Sequence, residues 1–330
     1  MDAPCQTAET PGIPRRFISD VQQLRAALML SETMLPAGNL ANGQFRLKVP
    51  EAFLRRIRPG DPNDPLLLQI WPSPREERET PGYRQDPNGE HAAAMAPGLL
   101  QKYAGRALLV TTGACAIHCR YCFRRHFPYQ DHRDQASPWE SALAAIRTDT
   151  SLEEIILSGG DPLTLSVQRL TTLFDQLSSI RHVKRIRIHS RLPVVAPERV
   201  TPSLLALMDD FADHLVMVIH TNHPRELDPA AETALRGIHG TGVQQLNQSV
   251  LLRGVNDSAE CLISLSRRLF ECHVLPYYLH QLDPVAGAAH FQVTDDEAVA
   301  LVEAMRRALP GYLVPRLVRE REGAAYKLPL

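Results

Sequence analysis

The stretch Gly113-Ala-Cys-Ala-Ile-His-Cys-Arg-Tyr-Cys-Phe-Arg-Arg125 brings three cysteines together with the spacing C-x3-C-x2-C. A structural zinc site uses four protein ligands, usually as two halves of paired Cys or His residues. A [4Fe–4S] cube held by three cysteines instead leaves one iron open for another ligand. The spacing therefore favours a cluster with an open iron. A zinc site completed by a distant His, or three cysteines without any metal, is the alternative.

Composition limits the possible classes of protein. The chain has 330 residues, of which 44% are hydrophobic, and a formal net charge of −1, which suits one large core with an appendage. Near-neutral charge gives no electrostatic reason to expect nucleic acid or a membrane as partner, and no apolar run approaches the roughly 20 residues of a membrane span. The polar start and the clustering of the cysteines predict a reducing, cytoplasmic location.

Hydrophobic periodicity predicts alternating strands and helices. Six short apolar or alternating runs predict strands at 107–112, 155–158, 186–190, 215–220, 244–249 and 274–279. Amphipathic stretches predict helices at 139–147, 166–177, 202–211, 230–238, 260–270 and 295–309, with two more at 16–28 and 50–57. From the second strand onward the strands start about 30 residues apart, the length of a βαβ unit. The pattern predicts an α/β fold with a parallel, barrel-like sheet and helices outside.

Polar residues follow every predicted strand of this sheet. In β/α barrels the chemistry lies on loops at the carboxyl ends of the strands. The segments at those ends are 115–122, 158–162, 189–191, 220–223, 247–248 and 280–283, and each is polar or rich in glycine. One polar loop means little, but six at one face predict a ligand pocket.

Lysine is rare in this chain. Lys and Arg total 36, yet lysine occurs only at positions 48, 102, 184 and 327. A lysine amine can lose its proton and condense with an aldehyde, whereas arginine cannot. Lys327 is therefore a candidate imine-forming residue, although a solvated charge is the ordinary state so close to a chain end.

Five sequence blocks carry a family resemblance. They are Cys-Arg-Tyr-Cys-Phe-Arg-Arg (119–125), Ser-Gly-Gly-Asp-Pro-Leu (158–163), His-Ser-Arg-Leu-Pro-Val-Val (189–195), Asn-Gln-Ser-Val-Leu-Leu-Arg-Gly-Val-Asn-Asp (247–257) and Tyr-Tyr-Leu-His-Gln-Leu-Asp (277–283). With these blocks, residues 95–330 resemble the radical-SAM lysine 2,3-aminomutase family. The resemblance implies an N-terminal helical appendage (1–100), a partial (β/α)6 TIM-like barrel (101–309) and a short C-terminal segment that binds pyridoxal phosphate (PLP; 310–330). It also implies a [4Fe–4S] cluster and S-adenosylmethionine (SAM).

The resemblance implies a role for each matching residue. The cluster would be ligated by Cys115, Cys119 and Cys122, and SAM would be bound by Gly159, Gly160, Asp161, His220 and Gln248. The imine with PLP would form on Lys327, with Lys102 and Arg106 near the phosphate. The substrate carboxylate would be gripped by Arg124, and the far ammonium group of lysine would be received by Asp283 and Glu320. The implied reaction is a 1,2-amino shift that converts (S)-α-lysine to (R)-β-lysine.

Two departures bear on the branch within this family. Glu320 stands where catabolic members have Asp, and those members continue into a zinc-binding segment beyond the position of Leu330. The chain is most similar to the branch that makes β-lysine for modifying elongation factor P. That similarity implies a functional link to the factor and its lysyl ligase, and an electron donor such as a flavodoxin or ferredoxin. A stand-alone metabolic lysine 2,3-aminomutase is an alternative, and a non-catalytic zinc or scaffold protein is an alternative of another class.

Overall fold

The computed structural model of the chain describes residues 17–38, 45–130 and 139–330. Residues 1–16, part of the predicted appendage, lie outside this description. The N-terminal segment contains β1 (Phe17–Ile18), α1 (Val21–Ala27), β2 (Val49–Pro50), α2 (Glu51–Leu54) and α3 (Pro65–Leu68). The first two strands pair antiparallel. The two helices predicted in this segment are confirmed, in shorter form, as α1 and α2.

Ten strands of the described chain form one sheet. They are β3 (Ala94–Ala96), β4 (Leu99–Tyr103), β5 (Arg106–Thr112), β6 (Glu154–Gly159), β7 (Arg185–Ser190), β8 (Leu215–His220), β9 (Gln244–Val250), β10 (Leu275–His280), β11 (Arg316–Arg319) and β12 (Leu328–Pro329). Neighbours in sequence are neighbours in the sheet, and the strands from β5 to β11 run parallel. The strands β3, β4 and β12 add antiparallel edges. The six predicted strands are confirmed as β5 to β10.

Helices cover the outer face of the sheet. They are α4 (Glu140–Thr148), α5 (Val167–Ser178), α6 (Leu192–Val195), α7 (Pro202–Asp210), α8 (Pro229–Gly240), α9 (Ala259–Glu271) and α10 (Asp295–Ala308). The six predicted barrel helices are confirmed, and α6 is an additional short turn of helix. In α5, for example, a side-chain cap from Ser166 starts the helix, and Leu170, Phe174 and Leu177 form its buried stripe. None of the helices in the described residues is both long and apolar enough to cross a membrane.

The core joins the N-terminal segment to the sheet. One hydrophobic cluster contains Leu24, Phe53 and Trp71 from the N-terminal segment together with Leu109 and Ile188 from the strands. These side chains are at most 2% exposed, so the segment contributes to the same buried core. The predicted domain boundaries at residues 100 and 309 stay predictions.

The sheet curls so that its two ends approach each other. Lys102 near the end of β4 and Glu320 just after β11 form an ion pair. In a flat sheet these strands would lie seven spacings apart, about 34 Å at roughly 4.8 Å per spacing. No ladder joins the edge strands β3 and β12 in the described part of the chain. The sheet is therefore a curled, open barrel, and the predicted α/β class with a partial barrel is confirmed.

Candidate active site

The curled sheet encloses a cavity of about 830 Å³, which lies toward the upper end of the range for small-molecule sites. Along β7, Ile186 and Ile188 point to the helices, whereas Arg187 and His189 line the cavity, as the two-residue period of a strand requires. Every residue assigned a role by resemblance lines this one cavity: Lys102, Arg106, Cys115, Cys119, Cys122, Arg124, Gly159, Gly160, Asp161, His220, Gln248, Asp283, Glu320 and Lys327. The structure thus brings the predicted set together, and the individual roles stay predictions.

The three clustered cysteines form one electrostatic group between β5 and α4. All three are free thiols. Burial, followed by the negative charge of Cys119, raises the pKa of Cys122 to about 11. Burial also raises the pKa of Cys115, with additional contributions from Cys122, Asp161 and Cys119. The charge of each thiolate thus disfavours ionisation of the neighbouring thiols, and a positively charged metal centre would offset this repulsion.

The donor set fits a [4Fe–4S] cluster. No three His, Cys, Asp or Glu side chains in the described residues converge as ligands of a single metal ion. A cube does not require such convergence, because each thiolate binds a separate iron. Arg191 donates a hydrogen bond to the sulfur of Cys119 over 2.6 Å, as expected beside a thiolate ligand.

Two glycines hold the end of β6 against the cysteine loop. Gly159 has φ +110°, and a Cβ there would lie 2.7 Å from the carbonyl oxygen of Thr112. A Cβ on Gly160 would collide with the carbonyl of Ala114. The Gly160 N–H donates to Thr112 O over 2.7 Å, so this N–H is already used within the protein. The two glycines therefore allow the backbone after β6 to pack closely against the start of the cysteine loop.

Asp161 anchors the next turn of chain. Its carboxylate accepts from the Ser190 hydroxyl over 2.7 Å and from the N–H groups of Arg191, Leu192 and Leu163 over 2.9 to 3.1 Å. These four donors occupy the roughly four lone-pair sites of a carboxylate. Burial nevertheless raises the pKa of Asp161. The contacts observed for Asp161 are therefore with the protein, and the predicted SAM contact stays a prediction.

Three imidazoles line the cavity in their neutral form. Burial, followed by the charges of Arg191, Arg124 and Lys327, lowers the pKa of His220 to about 3. Burial also lowers the pKa values of His189 and His280 well below the usual range. The Nε2 atoms of His220 and Gln248 lie 2.8 Å apart.

Several buried nitrogen atoms in the cavity wall have no hydrogen-bond partner among the described residues. They are Nε2 of His189, Nε2 of His280 and the Nε atoms of Arg125, Arg187 and Arg191. Buried polar groups are normally satisfied, so these atoms indicate where a ligand would bind. The sequence places His189, Arg191 and His280 at the predicted ligand pocket without an individual role, and it does not single out Arg187, which lies within a predicted strand.

Glu320 lies between two lysines. Its carboxylate forms ion pairs with the amines of Lys102 and Lys327. Although burial acts to raise it, these two cations hold the pKa of Glu320 well below its usual value. At Asp283, burial and then the negative charge of Glu320 raise the pKa to about 7. The amine of Lys327 also lies 6.0 Å from the centre of the Tyr278 ring. This part of the cavity consequently suits ammonium groups.

Arg124, which is predicted to bind the substrate carboxylate, has an ion-pair partner within the protein. Its Nε and Nη2 atoms donate to the two oxygens of Glu90 over 2.8 and 2.6 Å, and Nη1 donates to the Ser158 hydroxyl over 2.9 Å. Arg124 and Glu90 are 6% and 3% exposed. A second carboxylate would therefore approach Arg124 through Nη1 or would displace Glu90. Nothing in the sequence around Glu90 predicted this pair.

A family profile described as a 4Fe-4S single cluster domain matches residues 104–192. The chain is 45% identical to the L-lysine 2,3-aminomutase of Escherichia coli (strain K12), over 95% of this chain and 92% of that protein. It is 34% identical to the L-lysine 2,3-aminomutase of Clostridium subterminale, over 96% of this chain and 76% of that protein. A radical SAM methyltransferase from Sphaerobacter thermophilus matches with 18% identity and a TM-score of 0.42, over 67% of this chain and 68% of that one.

Proposed function

Since the chain belongs to the L-lysine 2,3-aminomutase family, we propose that it converts (S)-α-lysine to (R)-β-lysine by a 1,2-amino shift. The chain is an isomerase of the aminomutase type that uses a [4Fe–4S] cluster, SAM and PLP. Membership in this family decides against a non-catalytic zinc or scaffold protein. The observation that carries the proposal is the single cavity that holds the three cysteines, Arg124 and Lys327.

When bound, the cluster and SAM supply a carbon radical that removes hydrogen, and PLP supplies the ring that carries the migrating nitrogen. The chain offers Cys115, Cys119 and Cys122 to the cluster and the amine of Lys327 to PLP. Besides burial, the charges of Lys327 and Arg124 both lower the pKa values of His189 and His220, so both cations lie within electrostatic range of the same two imidazoles. The protein's task is to keep these groups close together and apart from water.

Two acids support lysine as the substrate. We assign Asp283 and Glu320 to the far ammonium group and Arg124 to the carboxylate. In the structure Glu320 already holds the ammonium groups of Lys102 and Lys327, so this region accepts the chemical group that the substrate would bring. A substrate with a terminal carboxylate, such as glutamate, would be repelled by several kcal/mol in a desolvated pocket, as an order of magnitude. A site with its charges at two ends would also select for substrate length.

We further propose that the product serves the modification of elongation factor P, which would place the enzyme in the cytoplasm with a flavodoxin-like or ferredoxin-like electron donor. The support is the sequence at 119–129, where the chain is similar to the branch that makes β-lysine for the factor. A stand-alone metabolic aminomutase would use the same chemistry. Deleting the gene in its own host and measuring the mass of elongation factor P separates the two: loss of a β-lysyl adduct supports the proposal, and an unchanged mass contradicts it.

Isotope-labelled lysine tests the chemistry directly. The enzyme is reconstituted without oxygen, supplied with SAM, PLP and reductant, and assayed for β-lysine by mass spectrometry. We expect Lys327→Ala to keep its iron, lose the imine absorbance of PLP and make no β-lysine, because no other residue is assigned to hold the aldehyde. The control is Lys184→Ala, which removes an exposed lysine whose amine donates to Arg181 O. Turnover by Lys327→Ala at the rate of the control would refute the assignment.

A further inference from the structure

The sulfur of Cys119 accepts a hydrogen bond from a residue far along the chain. The Nη1 atom of Arg191, just after β7, donates to the sulfur of Cys119 over 2.6 Å and to the hydroxyl of Tyr121 over 2.7 Å. The Tyr121 hydroxyl also lies within hydrogen-bond reach of the same sulfur. Two donors, one of them cationic, therefore meet at this sulfur. Arg191 is 6% exposed, so water screens its charge little.

The other side of the Arg191 guanidinium is bound to a buried counter-charge. Its Nη2 atom donates to Oε1 of Gln69 over 2.6 Å and to Oε2 of Glu226 over 2.8 Å. The second oxygen of Glu226 accepts from the side chain of Gln69 and from the N–H of Asn222, over 3.0 and 3.1 Å. Glu226 is 0% exposed. The positive end of this buried ion pair faces the sulfur, and the negative end faces away from it.

The position requires arginine in particular. The rings of Phe53 and Tyr121 lie 5.5 and 5.7 Å from the guanidinium carbon and fix the plane of the group. A planar fork with separate nitrogens can reach the sulfur and Glu226 at once, whereas the single nitrogen of lysine cannot. Asn222 Nδ2 also donates to the Tyr121 hydroxyl over 2.7 Å, which fixes the direction of that hydroxyl.

We propose that Arg191 is a positioning residue that raises the reduction potential of the cluster through Cys119, with Tyr121 as a second donor. Reduction adds one negative charge to a cluster, and hydrogen bonds and positive charge at the ligand sulfur stabilise that charge. Glu226 limits the effect and keeps the buried arginine paired. The inference rests on the proposed role of Cys119 as a cluster ligand, and it is independent of the amino acid that the enzyme isomerises.

The test is an anaerobic redox titration of the reconstituted full-length protein, followed by electron paramagnetic resonance in the absence of lysine and PLP. Iron and sulfide per chain are measured first, so that only loaded protein is compared. At a fixed applied potential, we expect Arg191→Gln to lower the ratio of reduced to oxidised cluster by about tenfold. For a one-electron reduction this corresponds to a midpoint potential that is about 59 mV lower. Tyr121→Phe keeps its ring and loses one donor, so we expect a smaller decrease. Arg191→Lys should fall between wild type and Arg191→Gln.

Arg181→Gln is the matched control, because it removes an exposed arginine and should leave the potential unchanged. Loaded Arg191→Gln with the wild-type midpoint would overturn the proposal. If that variant does not retain its iron, the decision passes to Tyr121→Phe, and a wild-type midpoint there would overturn the proposal equally. Wild-type protein that carries the cluster but forms no β-lysine would refute the proposed function and leave this titration valid.

Discussion

Replacing Asp283 by asparagine should stabilise the cofactor-free protein, and increasingly so as the pH rises. In the structure the carboxyl group of Asp283 lies in the cavity wall beside Glu320. Burial and the negative charge of Glu320 raise its pKa from the usual 3.8 to about 7. The folded state thus holds a proton that the unfolded state releases at lower pH. Stability contributed by the protonated group is fully present below about pH 4 and is lost as the pH rises to about 7.

The size of the effect follows from the two pKa values. The difference between 3.8 and about 7 is worth at most about 4 kcal/mol, at about 1.36 kcal/mol for each pH unit. Water in the open cavity reduces this figure. At about 2 °C per kcal/mol, the lower value for chains of 150–250 residues, the change in melting temperature would be roughly 8 °C or less.

The assay compares the melting temperatures of wild-type and Asp283→Asn protein, without cluster or PLP, in steps from pH 5 to pH 8. The difference between the two proteins isolates Asp283, because the cavity histidines are present in both. We expect the variant to gain stability relative to wild type from pH 5 to pH 7, and the difference to be constant above pH 7. A difference that does not change between pH 5 and pH 8 would contradict the raised pKa.

Two further substitutions test the walls of the site. Gly160→Ala should lower the free energy of unfolding by about 1–3 kcal/mol and reduce the iron bound on anaerobic reconstitution, because the new Cβ meets the carbonyl of Ala114. The control is Gly240→Ala, at a position with open space. Equal iron content in both variants would show that the close approach is not required. Glu90→Gln should lower the free energy of unfolding, measured in urea, by about 3–5 kcal/mol, because Arg124 stays buried without its counter-charge. A decrease below roughly 1 kcal/mol would show that the pair is not needed for folding.

The elements from β5 to β10 could be predicted because their residues carry a clear period. Strand β7, for example, alternates buried isoleucines with polar residues. The strands at the two ends of the sheet could not be predicted in this way. In β11, Arg316–Arg319, only the two central residues are apolar, and β12 has two residues, one of them proline. Their pairing depends on the neighbouring strand, which no local pattern shows.

The site residues that follow the predicted strands could be placed from the sequence, because the carboxyl ends of parallel strands lie at one edge of a sheet. Lys102, Arg106 and Glu320 came from the family resemblance alone.

The partners of the buried arginines at this site could not be predicted. Glu90 and Arg124 are 34 residues apart, and Gln69 and Arg191 are 122 residues apart. A buried guanidinium requires a counter-charge, so an arginine in the cysteine loop indicates that an acid must be near, but it does not indicate which one.

The N-terminal segment is consequently part of the active site in the electrostatic sense. Besides Glu90, it supplies Glu76, which pairs with Arg120 and Arg125 on either side of Cys122. All three arginines of the cysteine loop, including Arg124, are thus paired with two acids from residues 76–90, of which Glu76 serves two arginines. Without those acids the loop would carry three buried or half-buried positive charges beside the thiolates, at a cost of several kcal/mol each, as an order of magnitude. The cysteine loop therefore depends on this segment for its conformation, even though no residue of the segment is assigned to a cofactor or to the substrate.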